Sequence, residues 1–496
     1  MRLRSIIGKR WQLAALLAAL TLALAAILWP RSPAQAGKRA DAAAESMNAA
    51  YDFDLIFRPE ESALAVTMTL RYTNATGETL NDLTLRTWAG AYAAPETSPA
   101  AIDELYEACY PNGFSPGGIT LEGVWWNGTM AEAAFADAAQ TVLQVAIPPL
   151  ANGESGTLLL RCRLTAPECA HRFGHSAGVW QFGSALPILA VYRDGAWRQE
   201  PYAPIGDPFF SECANYTVTL TAPAGYACAA TGRQTAETQG DGTIRWRMEA
   251  KAAREFAFAL SDAWQSADTQ ADGVRITAYA PDRDGAKRAA KNAADALKIY
   301  GRLYGAYPWD TLTLCAVDFP FGGMEYPGLI FLSQKSFPAD WADTLELTVA
   351  HETAHQWFYA LVGSDPFYEP WQDEALCEYA MLRYVLEKYG RSAYENLRVT
   401  RIDAPMRERI PQRVTPATPI DGFGSLDAYT AVVYGRGAAF LTAAEEMTGK
   451  VDAFLKAYCD RFAFDIATRQ DFIGLMNEVT GEDLTPLMTD YLDTLM

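Results

Sequence analysis

His351-Glu352-Thr353-Ala354-His355-Gln356-Trp357-Phe358 is followed, beyond a Gly363-Ser364-Asp365-Pro366 break, by Pro370-Trp371-Gln372-Asp373-Glu374. Histidines four residues apart share one face of a helix, so His351 and His355 can hold a single ion between them. Glu352 falls about 100° round the same helix, free to act on water and not on the metal. Leu345, Val349, Phe358 and Leu361 place an apolar stripe through and beyond the motif, with no proline between Ala339 and Asp365. A helix running past His355 is therefore expected. Proline suits a first helical position, so a second helix is expected to open at Pro370 and to cover 371–382. Helix, turn and returning helix would carry Glu374, after a gap of 18 residues from His355, to the two imidazoles. Two histidines and one carboxylate are the protein donors of a catalytic zinc site, whose fourth position stays open to water. One zinc ion per chain is expected. An accidental HExxH in a buried amphipathic helix is the competing reading. It is disfavoured because two of only four histidines fall in this window and an acidic residue opens the next helix.

Taken with Glu369-Pro370-Trp371-Gln372-Asp373-Glu374-Ala375-Leu376-Cys377-Glu378-Tyr379, the motif resembles the aminopeptidase N family of gluzincin zinc peptidases. Upstream, Gly322-Gly323-Met324-Glu325-Tyr326-Pro327 is similar to that family's Gly-x-Met-Glu-Asn motif, with tyrosine where asparagine is usual. Downstream, Tyr434-Gly435-Arg436-Gly437 is similar to its Tyr-x-Lys-Gly segment, and the three motifs span 321–440. The resemblance implies metal ligands His351, His355 and Glu374, and catalytic roles for Glu352 and Tyr434, with Tyr429 the second choice for the latter. It implies substrate binding by Gly322, Gly323, Met324 and Glu325. The expected substrates are peptides with a free amino terminus, shortened one residue at a time. The expected fold is α+β and multidomain: an amino-terminal β-sandwich or saddle domain, then a thermolysin-like α/β catalytic domain.

The chemistry of these positions can be argued independently. Zinc lowers the pKa of bound water and polarises a carbonyl. A glutamate beside it can move the proton from water to the leaving amine, and a phenol can steady the oxyanion. A fixed carboxylate near the metal selects the cationic amino terminus and sets the cleavage register. Glycines before Glu325 and the apolar Leu329-Ile330-Phe331 after it suggest a sheet edge to which a peptide could add as a strand. Tyr326 keeps open a rival reading, a zinc endopeptidase with lax recognition of the chain end. A catalytically silent surface binding protein using the β domain is the alternative of a different class, and the intact His351, Glu352, His355, Glu374 and Tyr434 argue against it. Glu378, one turn beyond Glu374, is read as a solvated helix glutamate before an orienting partner, and Asp373 is treated likewise. His171 and His175 repeat the four-residue spacing, but Gly174 and Gly178 favour a loop over a helix.

The amino terminus begins Met1-Arg2-Leu3-Arg4 and Lys9-Arg10, runs apolar over 11–29, and ends in Pro30, Pro33 and Ala34-Gln35-Ala36. That pattern reads as a signal peptide or membrane anchor over 1–36, with the remainder outside the cytoplasm. The formal net charge of -19 argues against nucleic acid as a partner. Eight cysteines form no CxxC pair, so no structural zinc site is expected. Buried thiols are the default, with Cys162–Cys169 one conceivable disulfide. Short alternating runs (51–57, 64–72, 83–88, 141–147, 157–164, 216–221, 243–248 and 274–280) place the β domain at 45–280. The catalytic domain is expected at 281–496, with a helix over 286–304, strands at 311–317 and 329–332, and closing helices over 438–447, 451–462, 469–479 and 484–495. No helical-repeat domain is expected after them.

Overall fold

Strict alternation in Ala49–Arg58 buries Tyr51, Phe53, Leu55 and Phe57 and leaves the residues between them at the surface. The same period recurs in Ala63–Thr73, Ser155–Thr165, Ala214–Pro223 and Thr243–Ala253. Those five strands make the middle of an eight-stranded sheet, in which Ala49–Arg58 lies between Ala63–Thr73 and Ala214–Pro223. Two four-stranded sheets cover its apolar face, so one period-2 pattern per strand suffices to build this domain. The structure, a computed structural model, describes residues 37–495. The signal or anchor expected over 1–36 lies outside them, and no described helix is long and apolar enough to cross a membrane.

The second domain is built on a five-stranded sheet in the order Gln265–Ala271, Val274–Ala280, Thr311–Val317, Leu329–Ser333, Gly323–Met324. Val274–Ala280, Thr311–Val317 and Leu329–Ser333 run parallel. The helix α1 (Arg283–Leu303) makes the first crossover, opened by Asp282, whose side chain accepts from the Gly285 N–H. Both faces of the sheet are covered, which is why Leu329–Ser333 is buried at every position. Ile330 and Leu332 pack towards the helices, and Leu329 and Phe331 join the core of the β domain. The hairpin Gln265–Ala271/Val274–Ala280 therefore belongs to this sheet, which opens before residue 280. Alternation marks these residues as strands but does not say which sheet receives them. The closing helices are Gly437–Thr448, Val451–Arg461, Arg469–Thr480 and Thr485–Leu492. The fold is α+β, a sheet-rich domain followed by an α/β domain ending in helices, and among the described residues no helical-repeat domain follows.

One expectation about the metal motif is corrected. The helix α2 (Ala342–Ala354) stops one residue before His355 and does not continue to Leu361. Past it the chain turns through wider hydrogen bonds, Ala360 N–H to the His355 carbonyl at 2.9 Å and Val362 N–H to the Trp357 carbonyl at 3.1 Å. Buried Arg254 holds this turn, donating to the carbonyls of Tyr359 at 2.6 Å, Leu361 at 3.4 Å and Asp465 at 2.5 Å. Gly363 passes so close that a Cβ there would lie 2.4 Å from the guanidinium. The chain then returns in α3 (Trp371–Tyr389), with Pro370 at its N-cap.

Candidate metal centre

The last turn of α2 and the first turn of α3 face each other, and three donor atoms converge between them. His351 Nε2 lies 3.1 Å from His355 Nε2 and 3.2 Å from Glu374 Oε2; His355 Nε2 lies 3.4 Å from the same oxygen. Bonds of about 2.0–2.1 Å to a tetrahedral zinc would set their donor atoms about 3.3 Å apart. The donor set and its spacing therefore fit zinc, as the sequence spacing requires. Behind the donors, His355 Nδ1 meets Asp373 Oδ1 at 2.7 Å and His351 Nδ1 faces Glu378 Oε2 at 3.5 Å. The Asp373 carboxylate at Nδ1 keeps the His355 Nε2 turned inward, and the Glu378 carboxylate stands next to the His351 Nδ1 without a hydrogen bond to it.

Glu378 is thus not the solvated glutamate expected from sequence: its side chain is fully buried and Arg401 grips both oxygens, at 2.6 and 2.8 Å. Burial opposes its charge, but Arg401 and His351 outweigh burial and hold the carboxyl down at about 2. Arg401→Met would leave that charge without its cation. We expect zinc affinity to fall about 10- to 100-fold, read by competition with a chromophoric chelator; unchanged affinity would show that Glu378 does not steady His351.

Glu352 is buried, and its Oε2 has no hydrogen-bond partner. Burial raises its carboxyl to about 7, against the pull of His351 and His355. The edge strand Gly323–Met324 runs directly past it: a Cβ on Gly323 would lie 2.6 Å from Glu352 Oε1, so only glycine fits. Gly322 has no such constraint, its nearest neighbour being Thr348 at 3.5 Å, although it too lines the cavity. Side chains alternate along a strand, and Glu325 accordingly projects into the cavity while Met324 does not. The Met324 side chain turns away instead, its sulfur receiving Arg172 Nε at 3.4 Å within the core of the β domain, so only its backbone on the edge strand is left to meet a substrate. Tyr326 also leaves the cavity. It is fully buried against Phe331, and its hydroxyl occupies the space in which a Cβ on Gly183 would sit. Replacing the usual asparagine therefore does not alter the cavity wall.

Tyr434 stacks on the His351 ring at 5.6 Å between centroids, and Tyr429 meets it edge-on at 5.8 Å. Both line the cavity, and both sit where the chain widens locally into a π-helical turn, Thr430–Arg436, or just before it. Burial and the Glu374 charge raise the Tyr434 phenol well above its ordinary value, so it keeps its proton to donate. Arg436 points away and caps the carbonyls of Pro405 and Glu408. His171 lies in a loop, as expected, but is fully buried, with Nδ1 2.6 Å from Tyr92 Oη. His175 lies on the strand Phe173–Ser176 and stacks on Trp180.

Sequence reasoning missed two residues that the β domain contributes. Asp207 and Arg172 both line the cavity of about 480 Å³ beside the three donors, joined by Arg172 Nη2 to Asp207 Oδ1 at 2.6 Å. Gly206, at φ 79°, lets this loop press against Tyr429, whose hydroxyl a Cβ would meet at 3.0 Å. One oxygen each of Asp207, Glu325 and Glu374 lie within 4.8 Å of one another. The only trace of this in sequence is the Gly206-Asp207-Pro208 turn.

Residues 288–491 match the Peptidase family M1 domain. Human aminopeptidase B is 30% identical over 193 residues, 36% of this chain and 29% of its own length. Human aminopeptidase RNPEPL1 is 25% identical over 310 residues, 59% of this chain and 41% of its own. The chain thus spans less than half the length of these curated relatives. In three dimensions it is similar to an M1 zinc metallopeptidase from Deinococcus radiodurans, at TM-score 0.65 and 18% identity, over 90% of this chain and 93% of that one. Native yeast LTA4 hydrolase is similar at TM-score 0.65 and 17% identity, over 90% and 68% of the two chains. A mutant of the Deinococcus protein, at TM-score 0.63 and 18% identity over 89% and 93% of the chains, has been solved with a Tyr-Ser-Ala substrate bound. The cofactor of the centre is zinc: residues 288–491 match the Peptidase family M1 domain, and 90% of the chain shares the fold of the Deinococcus zinc metallopeptidase.

Proposed function

We propose that the protein is a zinc aminopeptidase that removes single residues from the amino termini of peptides. The observation that carries this reading is Glu325. It is 5% exposed, its side chain makes no hydrogen bond, and it faces the cavity with Asp207 beside it. A buried carboxylate without a partner is costly, and a second one within 4.8 Å adds to the cost. A cation between them relieves both, and a peptide's own ammonium is such a cation. Its position beside Glu374 sets the scissile bond one residue along, at the centre.

Zinc, when bound by His351, His355 and Glu374, supplies the Lewis acid for the carbonyl and for water. Glu352 takes the proton of the attacking water and returns it to the leaving nitrogen. The Tyr434 hydroxyl donates to the oxygen on which negative charge develops. Glu325 and Asp207 hold the ammonium, and Gly323 keeps the strand close enough for an incoming peptide to lie along the sheet edge. The Tyr-Ser-Ala complex of the Deinococcus relative fits peptides as the substrate class. The basic start and apolar run of residues 1–29 support action outside the cytoplasm, tethered or secreted.

Aminoacyl p-nitroanilides assayed beside their N-acetylated counterparts test the reading. Turnover is expected only for the free amines, abolished by chelation and restored by stoichiometric zinc. Equal turnover of the blocked set would make the enzyme an endopeptidase.

A further inference from the structure

All eight cysteines are buried free thiols, and two of them, Cys109 and Cys169, lie on segments joined by a backbone hydrogen bond. Cys109 closes the short helix Tyr106–Cys109, and Cys169 lies in the turn that precedes the strand Phe173–Ser176. Their backbones are already bonded: the Ala170 N–H donates to the Cys109 carbonyl at 2.9 Å, and the Cys169 N–H to the His175 carbonyl at 3.0 Å. The first of these hydrogen bonds holds the backbone of the Cys169-Ala170 pair directly against Cys109, and a disulfide requires the two Cα atoms to lie about 4.4–6.8 Å apart. Both side chains are fully buried in one core. Cys162, the partner suggested by sequence proximity, is instead locked in the sheet opposite Val66 and Leu121.

We propose that Cys109 and Cys169 form a disulfide when the chain folds in an oxidising compartment. The bridge staples the helix to the segment Cys169-Ala170-His171-Arg172, the same segment that delivers Arg172 to Asp207 at the cavity. In the step itself, one thiolate attacks a sulfur of a disulfide oxidant, either a small molecule or a protein thiol–disulfide oxidoreductase. The second thiolate then displaces the oxidant's remaining sulfur from the mixed disulfide. Two thiol protons and two electrons leave with the oxidant, which departs as two thiols. Burial pushes the Cys169 thiol far above its ordinary value. Both side chains are sealed from solvent and hence from an oxidant once the core has closed, so the bridge forms during folding.

The test follows from that order of events. The full chain is reduced in urea, refolded with a reduced and oxidised glutathione pair, alkylated and mapped by mass spectrometry. The same mapping on protein secreted by an oxidising host covers incomplete refolding. The expected result is one Cys109–Cys169 linked peptide, with the remaining six of eight cysteines alkylated. Closing a loop of about 60 residues should raise Tm by about 5–10 °C over the reduced protein. Cys109→Ser should abolish that difference. Eight alkylated thiols in both preparations, or a bridge between another pair such as Cys228 and Cys315, would overturn the proposal.

Discussion

Replacing Glu352 by glutamine is expected to lower kcat by about 10³- to 10⁴-fold while leaving one zinc bound per chain. The change keeps the shape that fits against Gly323, where 2.6 Å separates Oε1 from the position of a Cβ. What it removes is the ability to accept a proton. Glu352 lies outside the three converging donor atoms, and its Oε2 engages nothing else in the protein. Metal content and fold should therefore hold while turnover collapses, with KM for aminoacyl substrates changed little. Atomic absorption on the purified variant, beside its kinetics, decides the matter. A loss of zinc parallel to the loss of activity would mean that Glu352 holds the metal and that the division of roles between Glu352 and Glu374 is wrong.

What could be read from sequence here divides by distance along the chain. His351 and His355 were legible because a helix converts a spacing of four into one face, and Glu374 because a turn and a returning helix leave few other places for it. Strand alternation similarly exposed the β domain, whereas Glu325 was read from the resemblance of its motif. The end of α2 was not legible, because the apolar stripe runs on through Phe358 and Leu361 where the backbone has already turned out of the helix and is held by Arg254 from another domain. Nor was the burial of Glu378, since Arg401 reaches it from beyond α3. The burial of the Met324 side chain was not read either, because the motif was taken as a block and the pleat sends alternate residues to opposite faces. Asp207 was invisible for a related reason, as nothing local distinguishes a turn aspartate from one that the fold lowers into a cavity. Tyr326 illustrates the converse. Its departure from the family pattern raised doubt about the amine pocket, yet Gly183 absorbs its bulk on the far side of the strand.

Glu325→Gln should lower kcat/KM for free-amine substrates by about 10²- to 10³-fold, because an amide replaces the charge in a hydrogen bond to a cation within a buried site. At about 1.4 kcal/mol per decade, that corresponds to about 3–4 kcal/mol of binding in the transition state. Any slow hydrolysis of N-acetylated substrates should not fall, because they offer no ammonium to lose. Asp207 provides the control for shared action. If Asp207 and Glu325 hold the same ammonium, their effects must be coupled, and the Asp207→Asn, Glu325→Gln pair should cost clearly less than the sum of the single changes. Additive losses would place the two carboxylates in separate tasks, with Asp207 serving only to neutralise Arg172 at 2.6 Å. Loss of blocked and free substrates alike would instead remove Glu325 from amine recognition, and with it the basis for proposing that this centre trims chain ends.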